Sequence, residues 1–225
     1  MGPQETRRRL QLALEGVRAL IFGLDGVLVS TDRQKYESYR RALDHLGADM
    51  SFEFYRTLIG RSRLDTCRAI VEHCALDVGP EELAELRQAE VSGVFAEFGM
   101  DVIHPARKLL AVLPRERYRL GLVSSSTRER VQVALEALDF DFDSVVSGEE
   151  LKPKPAPDLY LRCLGEMGAA PGATAIFDDA ENGIRAARAA GCRPVAVPTE
   201  ASAGQDFSGA LVVIGSLWEA GEFLV

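Results

Sequence analysis

Cysteine, histidine and basic residues are all in short supply, and each shortage excludes something. The four cysteines, Cys67, Cys74, Cys163 and Cys192, form no C-x-x-C pair. None stands at zinc-ligand spacing from His45, His73 or His104. Neither a disulfide framework nor a zinc site is expected, and buried reduced thiols fit a cytoplasmic protein. Lysine and arginine number 26 against 34 acidic residues, a net charge of −8. That balance argues against a nucleic-acid binder, because phosphate backbones recruit basic faces. A small phosphorylated ligand stays compatible, since it needs only a few local donors. Long apolar runs are missing as well. Arg7-Arg8-Arg9 precedes a stretch broken by Gln11, Glu15 and Arg18. No export signal and no membrane span are therefore expected.

What is present is ordered in blocks. Residues 4–16 have the pattern of a short amphipathic helix. Residues 19–24, Ala-Leu-Ile-Phe-Gly-Leu, read as a buried strand that stops at the turn pair Asp25-Gly26. Residues 33–99 contain no convincing strand and four helical patterns, at 33–46, 52–58, 63–74 and 80–98. Pro80 with Glu81 and Glu82 makes a good helix start. From residue 105 helices and strands alternate, with strands expected at 118–124, 144–147, 173–177, 194–197 and 211–214. Such alternation predicts a parallel sheet covered on both faces, with right-handed crossovers placing the strand C-termini along one edge. The expected fold is α/β: a doubly wound, Rossmann-like core from residues 1–31 and 105–225, with an all-helical domain, residues 32–104, inserted after the first strand.

The strand ends carry the polar residues. Strand one ends at Asp25. The strand at 118–124 runs into Ser124-Ser125-Ser126-Thr127 and a helix start, where hydroxyls and free amides bind anions. Lys152-Pro-Lys154-Pro-Ala-Pro157 holds a lysine between prolines that stiffen its backbone. Phe177 is followed by Asp178-Asp179. Adjacent carboxylates at a buried strand end repel unless a cation is present, and magnesium takes oxygen ligands of this kind. A helix N-cap would explain one of the two and not both. An acid, hydroxyls, a lysine and a diacid on one sheet edge suit a magnesium-dependent phosphoryl site.

These motifs, in this order, identify a resemblance. Phe-Gly-Leu-Asp25-Gly-Val-Leu, Leu-Val-Ser124, Lys154-Pro-Ala-Pro-Asp and Phe-Asp178-Asp179 followed by Gly183-Ile-Arg-Ala-Ala-Arg-Ala-Ala-Gly191 closely resemble the haloacid dehalogenase-like (HAD) superfamily. The likeness extends over nearly the whole chain. It points to the branch with an inserted helical cap, which includes β-phosphoglucomutase, phosphoglycolate phosphatase and sugar- or pseudouridine-phosphate phosphatases. The resemblance implies that Asp25 is the general acid and base, its backbone carbonyl helping to hold Mg2+. Ser124 and the Ser125 amide would bind phosphoryl oxygens, with Gly26 beside the substrate. Lys154 would bridge the nucleophile position and the phosphate. Asp179 would ligate the metal directly, and Asp178 directly or through water.

In that superfamily the first motif is Asp-x-Asp, and its first aspartate becomes an aspartyl-phosphate. Here that position is Gly23, which can neither attack phosphorus nor donate a carboxylate to magnesium. Loss of that ligand should also weaken the metal. The pattern fits one substitution in a working enzyme, or a naturally inactive relative. Asp25 argues against a dehalogenase, because protonating an alcohol leaving group needs an acid there. The hinge histidine of the mutases corresponds by position to Lys35. Arg63 falls near the cap arginine that mutases use on a distal phosphate, and Arg61, after Gly60, sits on the expected cap turn that faces the site, so both are candidate substrate ligands. The expectation is a phosphatase of a small phosphorylated metabolite, a sugar or nucleoside monophosphate, crippled in this form. The alternatives are a binding or regulatory module without turnover, and a sugar-phosphate mutase.

Overall fold

The computed structural model describes residues 2–59, 61–149, 151–200 and 202–225. In chain order the elements are α1 (Pro3–Leu14), β1 (Ala19–Gly23), β2 (Val29–Ser30), α2 (Asp32–Asp44), α3 (Phe52–Arg56), α4 (Arg63–His73), α5 (Pro80–Phe98), β3 (Asp101–Val102), α6 (His104–Val112), β4 (Arg119–Val123), α7 (Arg128–Leu138), β5 (Ser144–Val146), α8 (Asp158–Met167), β6 (Thr174–Asp178), α9 (Glu181–Ala189), β7 (Arg193–Ala196), β8 (Val212–Val213) and α10 (Trp218–Leu224). Two compact units result, Met1–Ser30 with Asp101–Val225, and Thr31–Met100.

The first unit is the α/β layer structure that alternating strands and helices dictate. Its sheet runs β5-β4-β1-β6-β7-β8, every neighbouring pair parallel. All five residues of β1 are buried, as a central strand with both faces covered requires. Side chains alternate along it. Ala19 and Ile21 face one core with Ile176, Leu159, Tyr160 and Cys163. Phe22 turns the other way and stacks on Phe177, with ring centroids 5.3 Å apart. Successive strands are added on one side of β1 and then on the other, so β1 borders the topological switch point. Open α/β sheets bind ligands in the crevice at that point.

The second unit is all helical. Ser51 and Ser62 cap α3 and α4, each hydroxyl accepting a backbone N–H three residues on, at 3.1 Å. Tyr39, Leu43, Tyr55, Cys67, Ile70 and Leu83 form its core. The chain leaves the first unit after β2 and returns on β3. These strands pair antiparallel, Val29 with Val102 and Ser30 with Asp101.

That two-residue ribbon and α10 were not expected from the sequence. Two residues carry no readable period, and α10 mixes two glutamates and a glycine into an apolar run. All four cysteines are free, and three are buried. Among the described residues no helix is long and apolar enough to cross a membrane.

Candidate functional site

Register brings the strand ends together. Gly23 pairs with Val123, and Phe22 with Phe177, so the chain leaving β1, β4 and β6 emerges along one edge. After β1, Gly26 adopts φ +75°, and its amide donates to the Val29 carbonyl at 2.8 Å. Glycine is required there twice over. Its φ lies in the left-handed region, and a Cβ would overlap the Asp179 carboxylate, which rests against the turn. Gly26→Ala is therefore expected to cost about 2 kcal/mol. Urea unfolding measures it, and an unchanged midpoint would mean that the carboxylate does not sit there.

Asp25 is held by one group from the β4–α7 connection and one from the first turn of α7. The Ser126 hydroxyl donates to its Oδ2 at 3.1 Å, and Arg130 Nη2 to its Oδ1 at 3.3 Å. Ser124 is buried, and its hydroxyl oxygen accepts the Ser126 amide at 3.0 Å. Thr127 accepts the Arg130 amide and caps α7. Ser125 has no room behind it. A Cβ at Gly148 would lie 2.8 Å from its Cα, so that glycine lets two loops close.

Lys154 and Asp178 form the buried centre. Lys154 Nζ donates to Asp178 Oδ2 at 2.6 Å, and the two side chains are 13% and 4% exposed. The Tyr160 hydroxyl donates to the same oxygen at 2.6 Å. Burial, and after it the Asp178 charge, holds that hydroxyl well above its ordinary pKa, so it stays a donor. Asp178 Oδ1 accepts the Ala180 amide at 3.1 Å. The Asp178 carboxylate lies so close over Gly183 that any Cβ there would overlap it.

Gly23 borders this cluster. A Cβ built on it lies 3.2 Å from Asp178 Oδ2 and 3.3 Å from both the Phe177 carbonyl and Val27 Cγ2. The alternation of β1 points position 23 to the side of the sheet that holds Tyr160. Among the described residues no three carboxylate, histidine or cysteine side chains gather as a metal cluster. Position 23 offers no side-chain oxygen, and Asp178 is turned onto Lys154 and Tyr160.

The α/β unit thus assembles Gly23, Asp25, Gly26, Ser124, Ser125, Lys154, Asp178 and Asp179. Arg61 and Arg63 lie in the helical unit, exposed on either side of the Ser62 cap of α4, and Lys35 lies on α2. Sequence reasoning missed Arg130 and Tyr160. A basic residue in the first turn of α7 runs against the helix dipole and was a usable signal. Tyr160 stands among the apolar residues of α8, where no local signal marks a polar contact. A groove of about 800 Å³ between α1 and α10, lined by Leu10, Val112, Val213, Trp218 and Phe223, contains none of these polar strand-end residues.

Known proteins share this organisation. The chain is 31% identical over 210 residues to Protein CbbY of Rhodobacter capsulatus, covering 86% of this chain and 91% of that protein. It is 31% identical over 187 residues to fructose-1-phosphate phosphatase YqaB of Escherichia coli strain K12, covering 81% and 97%. The fold matches that of CbbY from Rhodobacter sphaeroides, solved in complex with phosphate, with a TM-score of 0.74 at 24% identity over 92% of this chain and 99% of that one. Residues 20–197 match the family described as haloacid dehalogenase-like hydrolase, and with these relatives and this strand-end geometry the chain belongs to that family.

Proposed function

We propose that the chain is the scaffold of a magnesium-dependent phosphatase of a small phosphorylated metabolite, a sugar or nucleoside monophosphate, and that Gly23 removes its covalent step. The observation that carries this is the buried Lys154–Asp178 pair bordering the Cβ position of Gly23. The names of its relatives, one a fructose-1-phosphate phosphatase, support the substrate class.

The donors suit magnesium in kind, since all are hard oxygens. The Asp179 carboxylate, the Asp25 backbone carbonyl and Asp178 would hold the ion, weakly for want of a residue-23 carboxylate. When bound, it supplies positive charge against the phosphate oxygens. The remaining work belongs to side chains and amides. The Ser124 hydroxyl and the Ser125 amide hold two phosphoryl oxygens, and the Lys154 ammonium neutralises developing charge. With an aspartate at position 23 as nucleophile, Asp25 would pass its proton to the leaving alcohol and later take one from the water that attacks the aspartyl-phosphate. Arg61 and Arg63 are the proposed contacts to the rest of the substrate.

A second reading is favoured by one feature. Lys154 is charge-paired without residue 23, so the lysine needs no carboxylate at that position, which suits a binding or regulatory protein without turnover. Gly23→Asp, assayed with magnesium on p-nitrophenyl phosphate and a panel of sugar and nucleoside monophosphates, separates the two. Release of free phosphate supports the phosphatase. Tight ester binding by the Gly23 chain with no rescue supports the binding protein, and isomerisation without phosphate release would indicate a mutase.

A further inference from the structure

Nothing in the proposed role of Lys154 accounts for Tyr160. This residue is 0% exposed and packs with Leu159, Cys163, Ile21 and Ile176. A phenylalanine would fill that space as well. The hydroxyl needs a separate explanation, because burying one is costly unless it is bonded. It donates to Asp178 Oδ2, the oxygen that also takes the Lys154 ammonium, both at 2.6 Å. The Tyr160 ring lies against the same ammonium, with Nζ 4.9 Å from its centroid. One side chain therefore touches both partners of the buried pair.

We propose that Tyr160 is a positioning residue of the phosphoryl site: its hydroxyl pins Asp178 and its ring seats Lys154, so that the ammonium stays aimed past the end of β1 although position 23 supplies no carboxylate. The proposal rests on the reading that Lys154 meets the phosphoryl group. The physical need is one of freedom. A lysine ammonium is a point charge on a flexible four-carbon stem, and one salt bridge leaves that stem many conformers. Asp178 is itself an adjustable partner. The Tyr160 hydroxyl, with the Ala180 amide on the other oxygen, fixes the carboxylate from two sides. The ring then closes off one side of the ammonium, and a cation over an aromatic face is attracted to it. Asp178 Oδ2 also borders the Cβ position of Gly23. The oxygen that holds the lysine thus stands next to the space where the missing side chain would be.

Tyr160→Phe tests this, since it keeps ring and volume and removes only the hydroxyl. Calorimetric titration with inorganic phosphate in magnesium buffer would be run on the unsubstituted chain, Tyr160→Phe and Lys154→Ala. Proton–nitrogen spectra would follow the Lys154 ammonium in the first two. Lys154→Ala is expected to abolish measurable phosphate binding. Tyr160→Phe is expected to weaken it about tenfold, the loss of one hydrogen bond to a charged group. Its Lys154 ammonium signal should shift or broaden while the circular dichroism spectrum is unchanged. Phosphate binding within about twofold of the unsubstituted chain, with an unchanged ammonium signal, would overturn the proposal and leave Tyr160 as packing. If Lys154→Ala binds phosphate as well as the unsubstituted chain, the reading of the phosphoryl site fails instead, and the ammonium signal still decides the role of Tyr160. The unsubstituted chain gives a check that needs no variant to fold. A slowly exchanging Tyr160 hydroxyl proton with an Overhauser contact to the Lys154 ammonium is expected, and its absence overturns the proposal.

Discussion

Gly23→Asp is expected to raise kcat/KM for phosphate-monoester hydrolysis by about 10³-fold or more and to lower stability at the same time. The gain follows from chemistry. Loss of a nucleophile in a hydrolase costs several orders of magnitude, and the proposed reading assigns the remaining roles to Asp25, Ser124 and Lys154. The loss follows from geometry. A Cβ at position 23 comes within 3.2–3.3 Å of Asp178 Oδ2, the Phe177 carbonyl and Val27 Cγ2, so these neighbours must yield by a few tenths of an ångström. The new carboxylate would also share one lysine with Asp178, and adjacent like charges disfavour ionisation of both. A destabilisation of about 1–3 kcal/mol without magnesium is expected, typical of a crowded buried substitution. Magnesium should recover part of it, because a ligand that binds only the folded state stabilises that state. Initial rates and urea midpoints, each with and without magnesium, measure both sides. Activity without any stability cost would mean that the space at position 23 is larger than these contacts allow.

Removal of Lys154 is the second large effect. Lys154→Met in the Gly23 chain is expected to cost about 3 kcal/mol or more, because it leaves the Asp178 carboxylate, 4% exposed, with its charge unpaired. The cause can be isolated. Asp178→Asn in the Lys154→Met background should cost little or even restore stability, since no charge is then left buried. The double-mutant cycle should show a coupling of about 2 kcal/mol or more. The single tryptophan, Trp218, lies in α10 of the α/β unit, so its fluorescence reports the unfolding of the unit concerned. Additive effects would contradict a buried, mutually dependent pair. In the Gly23→Asp background, Lys154→Met should also reduce turnover by about 10²–10³-fold, the magnitude for removing one preorganised charge donor.

These expectations show what local sequence encodes. Strands β1, β4 and β6 were legible because each is built around a short apolar run, and such runs follow from burial on both faces. The polar groups were legible because each directly follows one of those runs, or sits in a loop stiffened by Pro153 and Pro155. Gly23 stood out only because the surrounding motif specifies what position 23 should hold. Pairings across the chain could not be read. Nothing local says that Lys154 meets Asp178, 24 residues on, or that a tyrosine inside the apolar face of α8 aims its hydroxyl at that carboxylate. Arg130 reaches Asp25 across 105 residues. Such contacts arise from the parallel register of β1 against its neighbours. The ribbon of β2 and β3 is likewise set by pairing across the inserted helices.

On the proposed reading, this edge of the sheet is a phosphoryl-transfer site that lacks one side chain. Mass spectrometry of Gly23→Asp, quenched in acid during turnover of p-nitrophenyl phosphate with magnesium, tests it most directly. A phosphoryl group on the peptide that carries residue 23, absent from the unsubstituted chain, is the expected result. Turnover with no phosphoryl group on that peptide, or no turnover on any ester tried, would overturn the phosphoryl-transfer reading of this site.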